Sequence, residues 1–213
     1  DFITPIEAMR ILKNVSTHCY LLESAQTDET WGRYTFLGFD PKLEITCIDG
    51  EMKAGNLRIR TDNPSACLRQ ILADYKSPRF ECLPPFTGGL VGYFSYDYFG
   101  YSEPAARCNV EDTGDFKDLD LMLFDRVIAF DHLRQKIVFI VNMSLDDVDV
   151  GYNKAVMELN QLVGLLRNGE KKEEPGGRMT GEVTPLFDKE QFCGMVEKAK
   201  HDIREGSIFQ IVL

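Results

Sequence analysis

The chain has 213 residues, 44% of them hydrophobic and 11% aromatic, which is enough to bury a sizeable core in one large or two small domains. Lys and Arg number 24 against 34 Asp and Glu, and the resulting charge of -10 argues against nucleic acid as a partner. No apolar run approaches the roughly 20 residues that cross a bilayer. We therefore expect a globular, cytoplasmic protein with no membrane partner.

The first part of the chain predicts a helix followed by short strands. Thr4 is a typical N-cap, Pro5 suits the first helical position and Glu7 completes a capping box, so the helix should run to about Asn14. Short apolar runs then predict strands, with Asp49-Gly50 as a tight turn. These strands are expected at 19–24, 33–39, 43–48, 51–54 and 57–61. Their succession predicts one antiparallel meander.

A second helix and a glycine-rich strand should follow the meander. Asn63-Pro64 starts the helix, and its apolar stripe is expected to pack across the meander. The stripe consists of Cys67, Leu68, Ile71, Leu72 and Tyr75. The strand, 88–96, holds three glycines, for which close sheet packing is a simpler explanation than a bound ligand. The acidic stretch 100–118 fits no calcium-loop spacing and predicts a solvated loop.

The second part of the chain predicts a long hairpin, 120–132 with 136–143, and then two helices. The helices are expected at about 147–167 and from an Asp188 cap to about Arg204, with a final strand from Ser207. The predicted fold class is α+β, with antiparallel sheets packed by helices. We divide the chain into an amino-terminal region, a flexible linker and the start of a further domain. These parts are 1–168, 169–187 and 188–213.

The residues assemble no self-contained active site. His18, His132 and His201 are far apart in sequence, and no Gly-x-Ser-x-Gly, phosphate-binding glycine loop or His-Glu-x-x-His motif is present. The six cysteines include no Cys-x-x-Cys pair, which argues against zinc. Read alone, the residues predict a binding domain without a metal site.

The segment 20–24 is the most informative, because Glu23 and Ser24 follow an apolar strand. Alone, it is an ordinary polar exit into a loop. Trp31-Gly32-Arg33-Tyr34, however, opens a second strand that should return alongside the first and bring Arg33 near Glu23. This is the layout of a small-molecule pocket.

This pair of strands resembles the amino-terminal region of anthranilate synthase component I, the large component of that enzyme, where Leu-Leu-Glu-Ser lines the tryptophan feedback site. Four further stretches match in the same order, so the resemblance covers nearly the whole chain. Its specificity comes from that order rather than from one motif. The stretches are 4–8, 88–97, 121–132 and 206–213.

The resemblance implies a parent enzyme that converts chorismate and ammonia into anthranilate and pyruvate with Mg²⁺. Its ammonia comes from a glutamine amidotransferase partner. The catalytic histidine and the magnesium ligands are implied to lie beyond Leu213, so this part should be inactive alone, with 188–213 as the truncated start of the chorismate-binding domain. Gln210 is implied to lie near the chorismate site, where related enzymes that add water carry a lysine base. Glutamine cannot act as a base at neutral pH, which suits ammonia as nucleophile. The alternative interpretation of Gln210 is that it is a polar residue on an exposed strand face.

For the tryptophan site the resemblance implies Leu22, Glu23, Ser24 and Arg33. The Glu23 carboxylate can pair with a ligand ammonium, the Ser24 hydroxyl can hydrogen-bond beside it, and Leu22 offers apolar contact. Two roles are open to Arg33: it meets the ligand carboxylate, or it pairs with Glu23.

Two alternatives to an anthranilate synthase fragment stay open. Aminodeoxychorismate synthase component I of folate synthesis shares the fold, chorismate and ammonia, although Thr4-Pro5-Ile6 looks more like the anthranilate synthase pattern. A free-standing amino-acid-binding regulatory module would be a protein of a different class. The missing initial Met and the apolar end at 208–213 predict a piece of a longer protein, whose exposed apolar edge should cause self-association.

Overall fold

The structure, a computed structural model, describes residues 3–24, 32–106, 116–173 and 175–213. It divides into two compact units, Asp1–Glu173 and Glu174–Leu213. In the first unit the helices are α1 (Pro5–Val15), α2 (Pro64–Asp74) and α3 (Val148–Asn168). Its strands are β1 (Cys19–Leu22), β2 (Tyr34–Phe39), β3 (Leu43–Ile48), β4 (Glu51–Ala54), β5 (Leu57–Arg60), β6 (Gly89–Phe94), β7 (Leu119–Phe124), β8 (Arg126–Asp131) and β9 (Lys136–Val141).

The first sheet has the strand order β1-β2-β8-β9, and every neighbouring pair is antiparallel. α1 and α3 contribute to the core on one of its faces, where Ile11, Leu37, Ile128 and Leu162 are buried. The capping box at Thr4 is present as predicted, and the buried residues of α1 follow helical spacing. This arrangement leaves the strand ends near Leu22 outside the helix-covered core.

The second sheet has the order β5-β4-β3-β7-β6 and is also antiparallel throughout. α2 packs on it through Leu68, which joins the buried cluster of Ile45, Cys47, Met52 and Leu121. The predicted α+β class, with antiparallel sheets packed by helices, is therefore confirmed. The predicted stripe of α2 is only partly buried, since Leu72 and Tyr75 remain exposed.

The predicted single meander is wrong, because the chain changes sheets between β2 and β3. Asp40 lies at this change with a positive φ of 51°, a conformation that Asp tolerates better than most residues. Arg126 Nη2 donates to the Asp40 carbonyl at 3.1 Å and to its carboxylate at 2.6 Å. The turn thus redirects the chain, and Arg126 holds it there.

The predicted strand 120–132 is also wrong as a single strand, because β7 and β8 belong to different sheets and meet at Asp125. Asn142 Nδ2 donates to the carbonyls of Asp125 at 3.0 Å and Thr87 at 2.8 Å. The apolar pattern runs on through Asp125 with little interruption, so the sequence does not show the change of sheet.

Gly92 of β6 confirms close sheet packing as the reason for a glycine in this strand. A Cβ at this position would lie 2.0 Å from the Asp120 carbonyl oxygen and 2.8 Å from Leu121 Cα, both on β7. Real side chains do not approach backbone so closely. The pairing of β6 with β7 therefore requires that Gly92 has no side chain.

The second unit contains α4 (Lys189–Arg204), which begins with the predicted cap at Asp188 and a capping box to Gln191. The predicted final strand from Ser207 is wrong, because residues 207–213 form neither helix nor strand. A lone apolar segment has no ladder of hydrogen bonds without a partner strand, and nothing pairs with this one in the described chain.

The division between the units falls after Glu173, inside the stretch 169–187 that the sequence predicts as a flexible linker. The beginning of that stretch is bound to α1. Lys172 N–H donates to the Arg10 carbonyl at 3.0 Å, and Asn14 Nδ2 donates to the Glu170 carbonyl at 2.6 Å. Residues 170–172 are thus hydrogen-bonded to α1, and the flexible linker 169–187 stays a prediction.

Candidate functional site

Leu22, Glu23 and Ser24 lie at the end of β1, as predicted for the pocket. β1 pairs with β2, and the last pair of that register is Leu22 opposite Phe36. All three residues of the segment are exposed, and Leu22 retains 46% of its accessible surface. An exposed leucine beside a carboxylate and a hydroxyl offers a ligand both apolar and polar contacts.

Arg33 lies just before β2, and its ion-pair partner is Asp131 at the end of β8 rather than Glu23. Nε and Nη2 of Arg33 donate to the two Asp131 carboxylate oxygens at 3.0 and 2.7 Å. The Asp131 side chain is 5% exposed and that of Arg33 is 22% exposed. A two-pronged pair of this kind fixes the guanidinium plane as well as its position.

The pair changes the protonation behaviour of Asp131. The Arg33 hydrogen bonds, followed by the Arg134 backbone N–H at 3.1 Å, hold the pKa of Asp131 down at about 2, although burial opposes them. Hydrogen bonding to Asp131 likewise raises the pKa of Arg33. Asp131 is therefore ionised at neutral pH and is the permanent partner of Arg33.

Thr35 and His132, the residues that follow Tyr34 and Asp131, make a second contact on the face of the sheet opposite Asp131. The buried hydroxyl of Thr35 lies 2.8 Å from Nε2 of His132, and His132 N–H donates to the Arg33 carbonyl at 2.9 Å. Asp131 and His132 also line an open cavity of about 670 Å³ together with Glu7 of α1. The start of β2 is thus fastened to the end of β8 on both faces.

Aromatic rings extend from Arg33 along the face of the first sheet that carries Leu22. Their centroids are separated by 5.7 Å from Tyr34 to Phe36, 5.6 Å from Phe36 to Phe86, and 6.4 Å from Phe86 to Tyr20. The Arg33 guanidinium carbon lies 4.7 Å from the centre of the Tyr34 ring. These rings supply a wall suited to a planar apolar group.

Sequence reasoning missed Asp131, Tyr34, Phe36 and Phe86 as neighbours of the candidate site. The two β2 aromatics occupy alternate positions, which is a local indication that they share a face. The contributions of Asp131 and Phe86 depend on pairing and packing between distant parts of the chain. No spacing in the sequence indicates these contacts.

Gln210 is exposed and belongs to the second unit, in the segment without regular structure. Its predicted role near chorismate therefore stays a prediction. Within the described ranges, no group of three or more His, Cys, Asp or Glu side chains is placed to hold a metal ion.

No helix among the described residues is both long enough and apolar enough to cross a membrane.

Curated relatives match the entire chain. It is 32% identical to anthranilate synthase component 1 of Acetivibrio thermocellus, covering 100% of this chain and 45% of the relative. It is 31% identical to the protein of that name from Bacillus subtilis, covering 100% of this chain and 44% of the relative. The chain therefore spans less than half the length of these relatives.

A solved structure shows the same fold. The crystal structure of anthranilate synthase component I from Streptococcus pneumoniae TIGR4 superposes with a TM-score of 0.62 at 26% identity, covering 97% of this chain and 44% of that one. The resemblance to the amino-terminal portion of that component is thereby confirmed. A family model described as "chorismate binding enzyme" matches residues 17–213. The chain belongs to the chorismate binding enzyme family.

Proposed function

We propose that this chain is the amino-terminal part of an anthranilate synthase component I, the tryptophan-biosynthesis enzyme that converts chorismate and ammonia into anthranilate and pyruvate. The observation that carries the proposal is similarity along all of the chain to relatives of that name, together with the matching fold. A glutamine amidotransferase partner would supply the ammonia.

In this proposal the described residues contribute regulation rather than catalysis. The polar groups that follow β1, on Glu23 and Ser24, are exposed and have the chemistry to bind an amino acid. Magnesium ligands and the catalytic acid are expected in the part of the relatives that has no counterpart here. The 213-residue chain alone should then produce no anthranilate.

The same proposal assigns tryptophan feedback to Leu22, Glu23, Ser24 and Arg33. Glu23 and Ser24 offer acceptors for an ammonium group, and exposed Leu22 offers apolar contact. Because Nε and Nη2 of Arg33 are used by Asp131, Nη1 is the guanidinium nitrogen left to meet a ligand carboxylate. Arg33 would thus bind the ligand while its own position is fixed by Asp131.

The test is an anthranilate fluorescence assay of the full-length enzyme with chorismate, Mg²⁺ and ammonia, repeated with tryptophan. Ser24→Phe should fill the pocket and abolish tryptophan inhibition while anthranilate formation continues, because the added ring occupies the ligand's volume. Ser102→Phe, at an exposed serine outside the proposed site, is the matched control and should keep wild-type inhibition.

Two results would contradict the proposal at different points. An aminodeoxychorismate product would move the chain to folate synthesis. Anthranilate formation with unchanged tryptophan sensitivity in Ser24→Phe would retain the enzyme assignment and remove the regulatory one.

A further inference from the structure

A second cavity, of about 570 Å³, is bounded on one side by the loop 75–87 that joins α2 to β6. Its other side includes Phe124 at the end of β7 and Asn142 after β9. The volume is in the range of small-molecule sites. The four residues of the proposed tryptophan site do not line it, so this cavity is separate from the end of β1.

The loop that forms one side of the cavity is fixed at both ends. At its start, Lys76 N–H donates to the Ala73 carbonyl of α2 at 3.3 Å, and at its end the Thr87 carbonyl accepts from Asn142 Nδ2 at 2.8 Å. Prolines restrict the backbone between these points, because each fixes its own φ. They are Pro78, Pro84 and Pro85. A loop that is already shaped loses little conformational entropy when a ligand binds.

Large apolar side chains line the cavity and keep much of their surface open to water. Leu72 is 46% exposed, Tyr75 is 45% exposed and Phe80 is 57% exposed. Phe86 also lines the cavity, and its ring is supported edge-on by Phe36 at 5.6 Å. Exposed apolar groups that surround a cavity are a feature of ligand sites, and aromatic rings among them favour a flat partner.

The charges at the cavity favour an anion. Lys76 and Arg79 line it and are exposed, and neither has an ion-pair partner among the residues that the structure describes. Asp125 also lines the cavity, but its carboxylate already lies 3.5 Å from Lys42 Nζ and 3.6 Å from Arg126 Nε. The described lining therefore has two uncompensated positive charges, in a chain whose net charge is -10.

We propose that this cavity binds a planar aromatic carboxylate, at a site distinct from the one assigned to tryptophan. Lys76 and Arg79 bind the carboxylate, since a guanidinium can donate two parallel hydrogen bonds to it. The rings of Tyr75, Phe80 and Phe86 contact the flat body of the ligand. A ligand of the same size loses affinity when it lacks either the charge or the flat rings.

Calorimetry of the full-length protein tests the site with three probes of similar size. The probe 2-naphthoate has both the charge and the flat rings, 2-naphthylmethanol lacks the charge, and decahydro-2-naphthoate lacks the flat rings. The wild-type protein should bind 2-naphthoate at least about fivefold more tightly than either of the others. Saturating L-tryptophan in every titration keeps the probes out of the proposed tryptophan site.

Two substitutions distinguish the charge from the rings. Arg79→Gln should weaken 2-naphthoate binding about three- to tenfold and leave 2-naphthylmethanol within about twofold, because it removes only the charge. Phe80→Leu should weaken both probes about threefold, the scale of one aromatic contact. The matched controls Arg58→Gln and Phe116→Leu are at exposed positions outside the cavity and should change neither affinity.

Three results would overturn the proposal. Absence of 2-naphthoate binding by the wild-type protein would remove the site. Binding that Arg79→Gln and Phe80→Leu leave unchanged would place the probe elsewhere in the protein. Equal losses of 2-naphthoate and 2-naphthylmethanol in Arg79→Gln would exclude recognition of the carboxylate. The proposed function is independent of all three, because the anthranilate assay tests it separately.

Discussion

Asp131 shows how one buried carboxylate can determine the position of several residues. It sits at the end of β8, where its charge is neutralised by Arg33 before β2, and Arg33 in turn covers Tyr34. A buried ion pair is sensitive to the loss of one partner, because the remaining charge is left without compensation. The start of β2 therefore depends on the ionisation of a residue almost 100 positions away.

At this scale we predict a loss of stability in acid that depends on Asp131. Its pKa is about 2 in the folded chain against an ordinary 3.8, so the pair contributes fully above about pH 4 and its contribution is lost as pH falls through about 2. Glu7, whose pKa the Lys171 hydrogen bond also lowers to about 2, adds in the same direction. Urea unfolding should show this decline.

Asp131→Asn is the variant that measures the contribution of the Arg33–Asp131 ion pair to stability. It should lower the free energy of unfolding by roughly 2 kcal/mol at pH 7, and this difference from wild type should shrink toward pH 2. A difference that stays constant across this range would exclude the ion pair as its source.

At the scale of elements, the helices follow from local chemistry. Thr4 and Asp188 each accept a backbone hydrogen bond at a helix start, as the sequence predicts. Asn63 and Asp147 do the same at the starts of α2 and α3. Caps act within one helical turn, so they can be predicted without the tertiary structure. The predicted strand bounds also lie close to the observed ones, because the alternation of side chains along a strand is a local pattern.

The pairing of β6 with β7 gives a prediction at the same scale. Gly92→Ala should cost several kcal/mol or prevent folding, because the new Cβ would overlap the Asp120 carbonyl on β7. Gly164→Ala, inside α3 with nothing within 4 Å of the added Cβ, is the matched control. It should stabilise the protein by about 0.5–1 kcal/mol.

Thermal and urea unfolding of these two glycine variants would check the prediction. If Gly92→Ala were tolerated as well as Gly164→Ala, the close approach of β6 and β7 would be wrong.

At the scale of the whole molecule, apolar surface remains exposed at the carboxyl end. Phe209 is 93% exposed and Val212 is 90% exposed, in a segment without strand pairing. Such surface favours association with other copies. The 213-residue chain should therefore show concentration-dependent self-association in light scattering, which Phe209→Ser with Val212→Ser reduces.

Ile48→Ser is the control for the Phe209→Ser and Val212→Ser substitutions, because Ile48 is also exposed but lies in a strand that pairs with a neighbour. It should leave the association unchanged. A monodisperse monomer at all concentrations would contradict the prediction.

The candidate site was predicted in part. Leu22, Glu23 and Ser24 are consecutive, so their common position at one strand end follows from the sequence alone. The ion-pair partner of Arg33 did not follow, because the two alternatives were a ligand carboxylate and Glu23, whereas the observed partner is Asp131 on β8. Phe86 reaches the same face from a loop about 50 residues after β2.

The sequence by itself determined the helix caps, nearly all strand positions, the α+β class and the family, since each depends on local patterns or on their order along the chain. Only the tertiary structure decided that β2 and β3, and β7 and β8, lie in different sheets. It also decided that Asp131 holds Arg33 over the Tyr34 ring. The physical reason is that sheet membership and ion pairing depend on contacts between distant residues, which alternation and capping do not encode.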